Sequence, residues 1–432
     1  MKNRILFVAF VLVFALTAAA QDHWVATWAA SPQSASFNFP MPKRNTVEPK
    51  AEPPAPKPSA PSKQASPFAL PPTIDNQTVR LIVHTSIGGT RARIQLSNAY
   101  GTGPLTVGAA HIALRAKGSA IVPDSDRALT FSGNPSFSIP PGAPLVSDPL
   151  DFPVPSHGDL VVSLFVTGDP TPPTLHLTGL HTTYISKPGD FTKAAEITDA
   201  TTTTQSWYWI SGVDVLAPAD AGAIVAFGDS ITDGATSTPD TDRSWPSQLA
   251  DRLATNKATK NVAIVNHGIS GNRLLADGAG VSALARFDRD VIAQPGVKWV
   301  IVLEGINDIG ISTMMGGAGI SADDLIAAHK QMIERAHLHG IKAIGATLLP
   351  YGGAAYYSEK GEAIRQAVNQ WIRTGGAYDA VVDFDAKLRD PQNASQLNPA
   401  YYVSDHLHPN DGGYKLMAEG VDLSFFATAN AR

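Results

Sequence analysis

The chain predicts a doubly wound α/β domain over its second half, preceded by an all-β, sandwich-like domain. Three observations carry this. From Ala221 onward, short apolar runs alternate with longer helix-period segments, the pattern of a parallel sheet covered on both faces. From Thr78 to about Leu216, apolar and polar residues alternate, Gly, Pro and Asp punctuate the runs, and helical periodicity is absent, as in a β-sandwich. Between Pro40 and Pro72 lie eleven of the thirty-three prolines, and such a run builds no core.

At the amino terminus, Lys2 and Arg4 precede an apolar stretch from Ile5 to Leu16 and then Thr17-Ala18-Ala19-Ala20. A basic start, a short apolar centre and small residues at the end describe a secretory signal peptide, residues 1–20, cleaved after Ala20. The stretch is short for a membrane span, and no later one is long enough either. The mature protein is therefore expected to be exported, secreted or periplasmic, and soluble.

Residues 21–39, with Trp24-Val25-Ala26-Thr27-Trp28-Ala29-Ala30-Ser31-Pro32, are expected to pack with the folded body. Residues 40–73 form an extended, partly polyproline-like loop or linker. Residues 74–216 are the β-sandwich-like domain. There Val79-Arg80-Leu81-Ile82-Val83 and Ala92-Arg93-Ile94-Gln95-Leu96 alternate as strands, and Gly88-Gly89 between them is a hairpin signal. Leu160–Val166 is a later strand.

Residues 221–428 are the α/β domain. Its strands are read at Ala223–Phe227, Val262–Asn266, Trp299–Glu304, Ala343–Leu348 and Ala380–Phe384. Helices fall near Ser247–Asn256, Val281–Ile292, Ala322–His339, Lys360–Thr374 and Gly412–Phe425. Ser321-Ala322-Asp323-Asp324 is a helix start, a Ser cap with acids in the first turn. Gly340 stops that helix after His339.

Composition narrows the chemistry. A length of 432 residues suggests about two domains at ~150–200 residues each. A net charge of −5 with 16% charged residues makes no electrostatic case for nucleic acid or an anionic membrane. The absence of cysteine excludes disulfides, thiolate metal sites and cysteine nucleophiles.

Special residues follow the first three strands of the α/β domain: Ser230 in Phe227-Gly228-Asp229-Ser230-Ile231-Thr232-Asp233-Gly234, Gly271 in Ser270-Gly271-Asn272-Arg273, and Asn307 in Glu304-Gly305-Ile306-Asn307-Asp308. In a flavodoxin-like order, with the first strand between the second and third, these loops converge at the switch point. Asp405 and His408, in Ser404-Asp405-His406-Leu407-His408-Pro409, precede the last helix, and their spacing turns both side chains one way. A serine hydroxyl needs a neighbouring base. Imidazole, with an unperturbed pKa near ~6.5, suits that task, and a carboxylate behind it fixes the tautomer. The oxyanion would take the N–H groups of Ser230 and Gly271 and the Asn307 amide. Glycine at 271 permits close backbone approach.

These four blocks, in this order, resemble the SGNH (GDSL-type) hydrolase superfamily over about Ala221 to Phe426. Arg243-Ser244-Trp245-Pro246, Gly268–Leu275 and Asp405–Tyr414 look like an exported branch of acylhydrolases and arylesterases in which a β-rich region precedes the hydrolase. Trp24–Pro32, Thr85-Ser86-Ile87-Gly88-Gly89 and Leu96-Ser97-Asn98 resemble that region, and the proline-rich stretch departs from it. The resemblance implies the SGNH hydrolase fold and serine ester hydrolysis without metal, with Ser230, Asp405 and His408 catalytic and Ser230, Gly271 and Asn307 as the oxyanion hole.

Several residues admit rival readings. Asp308 is expected to hold its loop by hydrogen bonds. His406 competes with His408 as base, and spacing from Asp405 favours His408. His406-Leu407-His408 and His337-Leu338-His339 lack an obvious third ligand, so neither a metal nor a cofactor is expected. Trp245 and Trp371 read as core or cover rather than a sugar cleft. No Gly-x-Ser-x-Gly elbow occurs, against an α/β-hydrolase. The expected substrate is a short-chain acyl ester, an O-acetyl group on polysaccharide first. The alternatives are a lipid or aryl esterase and, from another class, a carbohydrate-binding protein with a vestigial hydrolase domain.

Overall fold

The computed structural model describes residues 22–35, 72–168, 170, 172–314 and 319–427. The signal peptide expected over residues 1–20 and the proline-rich stretch from 40 to 71 lie outside the described residues.

The second half is built on five parallel strands, Gly222–Gly228, Val262–Gly268, Val297–Leu303, Lys342–Ala346 and Ala380–Val382. In space they run in the order second, first, third, fourth, fifth. Gly222–Gly228 is buried at every position, as a strand covered on both faces must be. Its last residue, Gly228, lies opposite Gly268 on one side and Leu303 on the other. Three strands thus end level, and the loops that follow them start side by side.

The helices fall into two packed groups, as a sheet covered on both faces requires. Trp245–Thr255, Phe384–Leu388 and Asp411–Gly420 form one; Ala283–Phe287, Ile306–Met314, Ala322–Leu338 and Glu359–Thr374 form the other. Ser321 caps its helix with a reciprocal box, in which Asp324 N–H donates to Ser321 Oγ and Asp324 Oδ2 accepts from Ser321 N–H. Among the described residues, no helix is long and apolar enough to cross a membrane.

Three expectations change. The strand expected to reach Phe384 stops at Val382, because Asp383 accepts from Ala386 N–H and caps the helix Phe384–Leu388. The helix expected from Gly412 to Phe425 ends at Gly420, and Asp422 caps a separate 3-10 turn, Leu423–Phe426. Asn307, expected in a loop, lies in the first turn of a helix, Ile306–Met314.

The region before Ala221 is β-rich and, among the described residues, without helices. One antiparallel sheet joins Trp24–Ala29, Ile210–Leu216, Gly89–Ser97, Leu150–Val154 and Pro144–Val146. A second contains Ala200–Thr204, Thr183–Pro188, Gln77–His84, Asp159–Thr167 and Leu105–Lys117. A small third sheet pairs Thr174–His176 with Gln33–Ser34 and Trp207–Tyr208. Val79, Leu81 and Val83 of the second sheet share one apolar cluster with Ile94, Leu96, Val213 and Val215 of the first.

The Gly88-Gly89 hairpin is a misreading. Gln77–His84 and Gly89–Ser97 belong to different sheets, so the chain crosses between them there. A two-residue hairpin turn needs positive φ, and neither glycine has it. What glycine supplies is closeness: a Cβ on Gly88 would lie 2.6 Å from the Val154 carbonyl oxygen, and one on Gly89 2.6 Å from Val215 Cβ.

Strand Trp24–Ala29 ties the two halves together. Val25 and Trp28 belong to the apolar cluster of the β-rich region, whereas Ala26 and Ala29 belong to that of the parallel sheet. A register shift between Ala26 and Trp28 breaks the period-two alternation of the strand, so residues three apart, rather than two, fall in the same cluster. Ala26 N–H also donates to the Pro295 carbonyl at 2.9 Å.

Candidate active site

Ser230 opens the four-residue helix Ser230–Asp233 directly beyond the first parallel strand. Asp229 caps it, accepting from Ile231 N–H at 2.9 Å. The turn beyond is stitched to the segment carrying His408. Thr236 Oγ1 donates to the Pro409 carbonyl at 2.9 Å, Thr238 N–H donates to Asp411 Oδ1 at 2.9 Å, and Tyr414 Oη donates to the Ala235 carbonyl at 2.7 Å. Those bonds bring together segments that lie far apart in the chain.

The result is a hydrogen-bonded line. His408 Nε2 lies 2.8 Å from Ser230 Oγ, and His408 Nδ1 lies 2.6 Å from Asp405 Oδ2. A carboxylate can only accept, so Nδ1 carries the proton and Nε2 faces the serine as acceptor. Asp405 Oδ1 accepts the backbone N–H groups of Leu407 and His408, both at 3.0 Å. Partial burial works against the Asp405 charge, but the hydrogen bond from the His408 ring and these N–H groups outweigh it and hold the carboxyl below its ordinary pKa. His406 is elsewhere: it takes a positive φ of 58° and packs its ring on Tyr402, centroids 4.9 Å apart.

Gly271 sits at φ 79°, a conformation costly for any residue with a Cβ. Asp308 holds its loop from below, accepting Leu274 N–H at 2.6 Å and Leu275 N–H at 2.9 Å. Burial nevertheless pushes the Asp308 carboxyl up to about 6, against the pull of those two N–H groups. Asn307 donates Nδ2–H to the Asn272 carbonyl at 2.9 Å, and Tyr356 Oη donates to Asn307 Oδ1 at 3.3 Å. The two bonds fix which way the amide points. Desolvation, reinforced by the Asp229 charge, raises the Tyr356 phenol well above its ordinary pKa, so it remains a donor.

Several residues of this site carry no local sequence signal. Asn272 is fully buried and sits at a junction: its carbonyl accepts from Asn307, its Nδ2 donates to the Val281 carbonyl at 2.9 Å, and its Oδ1 accepts from Arg286 Nε at 2.8 Å. Arg286 also donates to the Gly228 carbonyl at 2.8 Å and the His267 carbonyl at 2.7 Å, one at the end of each of two strands. Glu304 is completely buried, with neither carboxyl oxygen hydrogen-bonded among the described residues. Burial, then the neighbouring Asp229, drives its pKa well above the carboxylate range despite Arg286 at 3.9 Å. Asp229 is raised as well, chiefly by burial. Together they place a low-charge floor beneath the serine.

Among the described residues, one group could draw in a cation: His84, Asp159 and Asp242. Their atoms are already engaged. His84 Nδ1 lies 2.6 Å from Asp159 Oδ1, Arg115 donates to Asp159 Oδ2 at 2.9 Å, and His181 Nε2 lies 2.8 Å from Asp242 Oδ1. In the two His-x-His pairs, His408 faces Ser230 and Asp405, and His337 Nε2 lies 2.8 Å from Asp379 Oδ2. Trp245 is fully buried against Phe384.

Residues 226–416 match the model of the GDSL-like lipase/acylhydrolase family. No curated protein matches the chain. Solved structures similar to part of it include a lipolytic protein of the G-D-S-L family from Desulfitobacterium hafniense DCB-2, 26% identical, covering 46% of this chain and 96% of that one, TM-score 0.35. A GDSL-like lipase from Bacteroides thetaiotaomicron is 23% identical over 46% of this chain and 84% of its own, TM-score 0.33. A catalytic mutant of an acetylxylan esterase from Geobacillus stearothermophilus is 22% identical over 46% and 91%, TM-score 0.37. With the sheet order and the four motif blocks beside that match, residues 226–416 carry a GDSL-like lipase/acylhydrolase family domain.

Proposed function

We propose that this chain is an exported serine esterase that cleaves short-chain acyl esters through an acyl-enzyme, with Ser230 as nucleophile, His408 as base and Asp405 behind it. The observation that carries the reading is the line from Ser230 Oγ to His408 Nε2, 2.8 Å, and from His408 Nδ1 to Asp405 Oδ2, 2.6 Å. As Oγ adds to the ester carbonyl, its proton passes to His408 Nε2. The carbonyl oxygen becomes an oxyanion and receives the N–H groups of Ser230 and Gly271 and the second Nδ2–H of Asn307. Collapse expels the alcohol, which leaves with the proton from His408. Water then adds to the acyl carbon and gives a proton to His408. Collapse of this second intermediate releases the acid, and Ser230 regains its proton.

For the substrate we propose O-acetyl groups on polysaccharide. The leader-like residues 1–20 and the added β-rich region, which we read as a sandwich because its two larger sheets share one cluster, support a polymer met outside the cell. The test measures turnover of p-nitrophenyl acetate by the parent and Ser230→Ala, then acetate released from acetylated xylan, pectin and chitin fragments beside lysophospholipids. Parent turnover lost in Ser230→Ala, with acetate released from a polymer, is the expected result. Hydrolysis of lysophospholipid alone would replace the substrate. No turnover of any ester would remove the enzyme reading and favour a binding protein.

A further inference from the structure

Outside the Ser230 line the molecule holds a fully enclosed His–Asp pair. His176 lies in the small sheet of the β-rich region, and its Nε2 is 2.9 Å from Asp233 Oδ1, both side chains almost wholly buried. Asp233 ends the short helix that Ser230 begins. Its other oxygen, Oδ2, accepts Ser270 N–H at 2.8 Å and Ser270 Oγ–H at 2.7 Å. Ser270 directly precedes Gly271, whose N–H is an oxyanion donor in the function proposed above.

Both nitrogens of the His176 ring face acceptors. Nδ1 lies 3.0 Å from the Ser31 carbonyl oxygen, which can only accept, and Nε2 faces a carboxyl oxygen. A ring so placed donates from both nitrogens, which is the imidazolium. Burial opposes the charge, yet the Asp233 charge and hydrogen bond, with the Ser31 carbonyl, outweigh it and raise the His176 pKa. The ring is also held by packing on Trp207, centroids 5.6 Å apart at 31°. Neighbouring bonds tie the same strand to the same loop: Gln33 Oε1 accepts Leu177 N–H at 3.0 Å, and Gln33 Nε2 donates to the Ala279 carbonyl at 2.8 Å.

We propose that His176 is a positioning residue for ester hydrolysis, supplied by the β-rich region: through Asp233 it fixes Ser270 and so sets Gly271 N–H where the oxyanion forms. The β-rich region then completes the site although it contributes no group to the reacting atoms. Without the cation, Asp233 would be a buried carboxylate held only by the two Ser270 donors, and the anchor of the turn before Gly271 would loosen. The inference rests on the proposed roles of Ser230 and Gly271. Displacing a catalytic donor by about 1 Å costs on the order of 10²-fold in rate, and losing one oxyanion donor costs ~10²–10³.

The experiment compares full-length His176→Phe, His176→Gln and Ser270→Ala on a p-nitrophenyl ester, with folding followed by circular dichroism. Inhibition by a boronic acid, which mimics the tetrahedral intermediate, is measured alongside. His176→Phe should lower kcat about 30- to 100-fold with KM within about twofold, and weaken boronic acid affinity in parallel. His176→Gln, which retains a donor toward Asp233, should recover part of that loss. Ser270→Ala keeps the backbone bond and should lose about three- to tenfold in kcat. A lower melting temperature with parental kcat in all folded variants would make His176 merely structural and overturn the proposal. If His176→Phe does not fold, parental kcat in both His176→Gln and Ser270→Ala would overturn it. Ser230→Ala is the control: if it retains turnover, the site reading fails, whereas an inactive Ser230→Ala beside fully active His176 variants defeats this inference alone.

Discussion

Asn307 gives one amide hydrogen to the Asn272 carbonyl at 2.9 Å, while its own carbonyl oxygen is taken by Tyr356. The amide cannot flip without losing both bonds, so its second hydrogen points in a fixed direction before any substrate arrives. A donor that needs no reorganisation stabilises charge that develops in the transition state more than the ground-state ester.

Removing that donor should therefore act on the barrier. Asn307→Ala should lower kcat by ~10²–10³, about 2.7–4 kcal/mol, with little change in KM. Asn307→Asp should be at least as poor, because it places a carboxylate beside the oxyanion. Steady-state kinetics on a p-nitrophenyl ester, with circular dichroism for folding, check this. A folded Asn307→Ala with nearly normal kcat would take Asn307 out of the site.

Asp405 and Ser230 make separate demands. An organophosphate or sulfonyl fluoride should label Ser230, and peptide mapping that finds Ser270 or Ser86 modified instead would displace it. Asp405→Asn should keep the fold but reverse the hydrogen-bond preference at His408 Nδ1, leaving the wrong tautomer toward Ser230. A loss of about 10³–10⁴ in kcat is expected. A loss under about tenfold would show that the backbone around His408 orients the ring unaided.

Of the five proposed reactive positions, Ser230, Gly271 and Asn307 were legible because each follows an apolar run, and Asp405 and His408 because of their spacing just before the last helix. The strands were legible from the same apolar runs: a doubly covered strand must be continuously apolar, as Gly222–Gly228 is. His176 and Arg286 were not legible. Their partners lie at sequence separations of 57 for Asp233 and 58 for the Gly228 carbonyl, and no local pattern announces a buried cation whose acceptors come from other elements. Gly88-Gly89 failed differently. A glycine pair declares conformational and steric freedom, and only the packed neighbours reveal that the chain used the steric half of it.

Arg286 is the fastener of that hidden set. Its guanidinium is fully buried, stacks over Phe227 at 4.1 Å and donates to Asn272, His267, Gly228, Asp290 and Ser31. Lysine carries the charge but lacks the planar fork needed to reach these acceptors together. Arg286→Lys should cost about 3 kcal/mol or more, as breaking a buried hydrogen-bonded charge network does, and should slow turnover through loosened Asn272. Urea unfolding and kcat measured on the same preparation test both. A stability change under about 1 kcal/mol would mean that water or neighbours replace the fork.

Asp214, far from the chemistry on strand Ile210–Leu216, offers a pH test that the active site does not confuse. It is 1% exposed, and burial pushes its carboxyl up to about 6, although Gln95 Nε2 donates to both oxygens at 2.9 and 3.0 Å and Arg93 lies near. A folded-state pKa above the unfolded value means that the folded chain holds this proton where the unfolded chain has released it. Its cost is absent below about pH 4, where both states are protonated, and grows as pH rises to about 6, where both are ionised and only the folded one is desolvated. A carboxyl raised from 3.8 to about 6 corresponds to at most about 3 kcal/mol. Asp214→Asn removes the titration, and any lost hydrogen bond to Gln95 shifts its stability equally at every pH. The stability of the variant relative to the parent should therefore rise between pH 4 and pH 7, by up to that amount. Urea unfolding at several pH values reads it directly, and parallel curves for the two proteins would show that Asp214 titrates alike in both states.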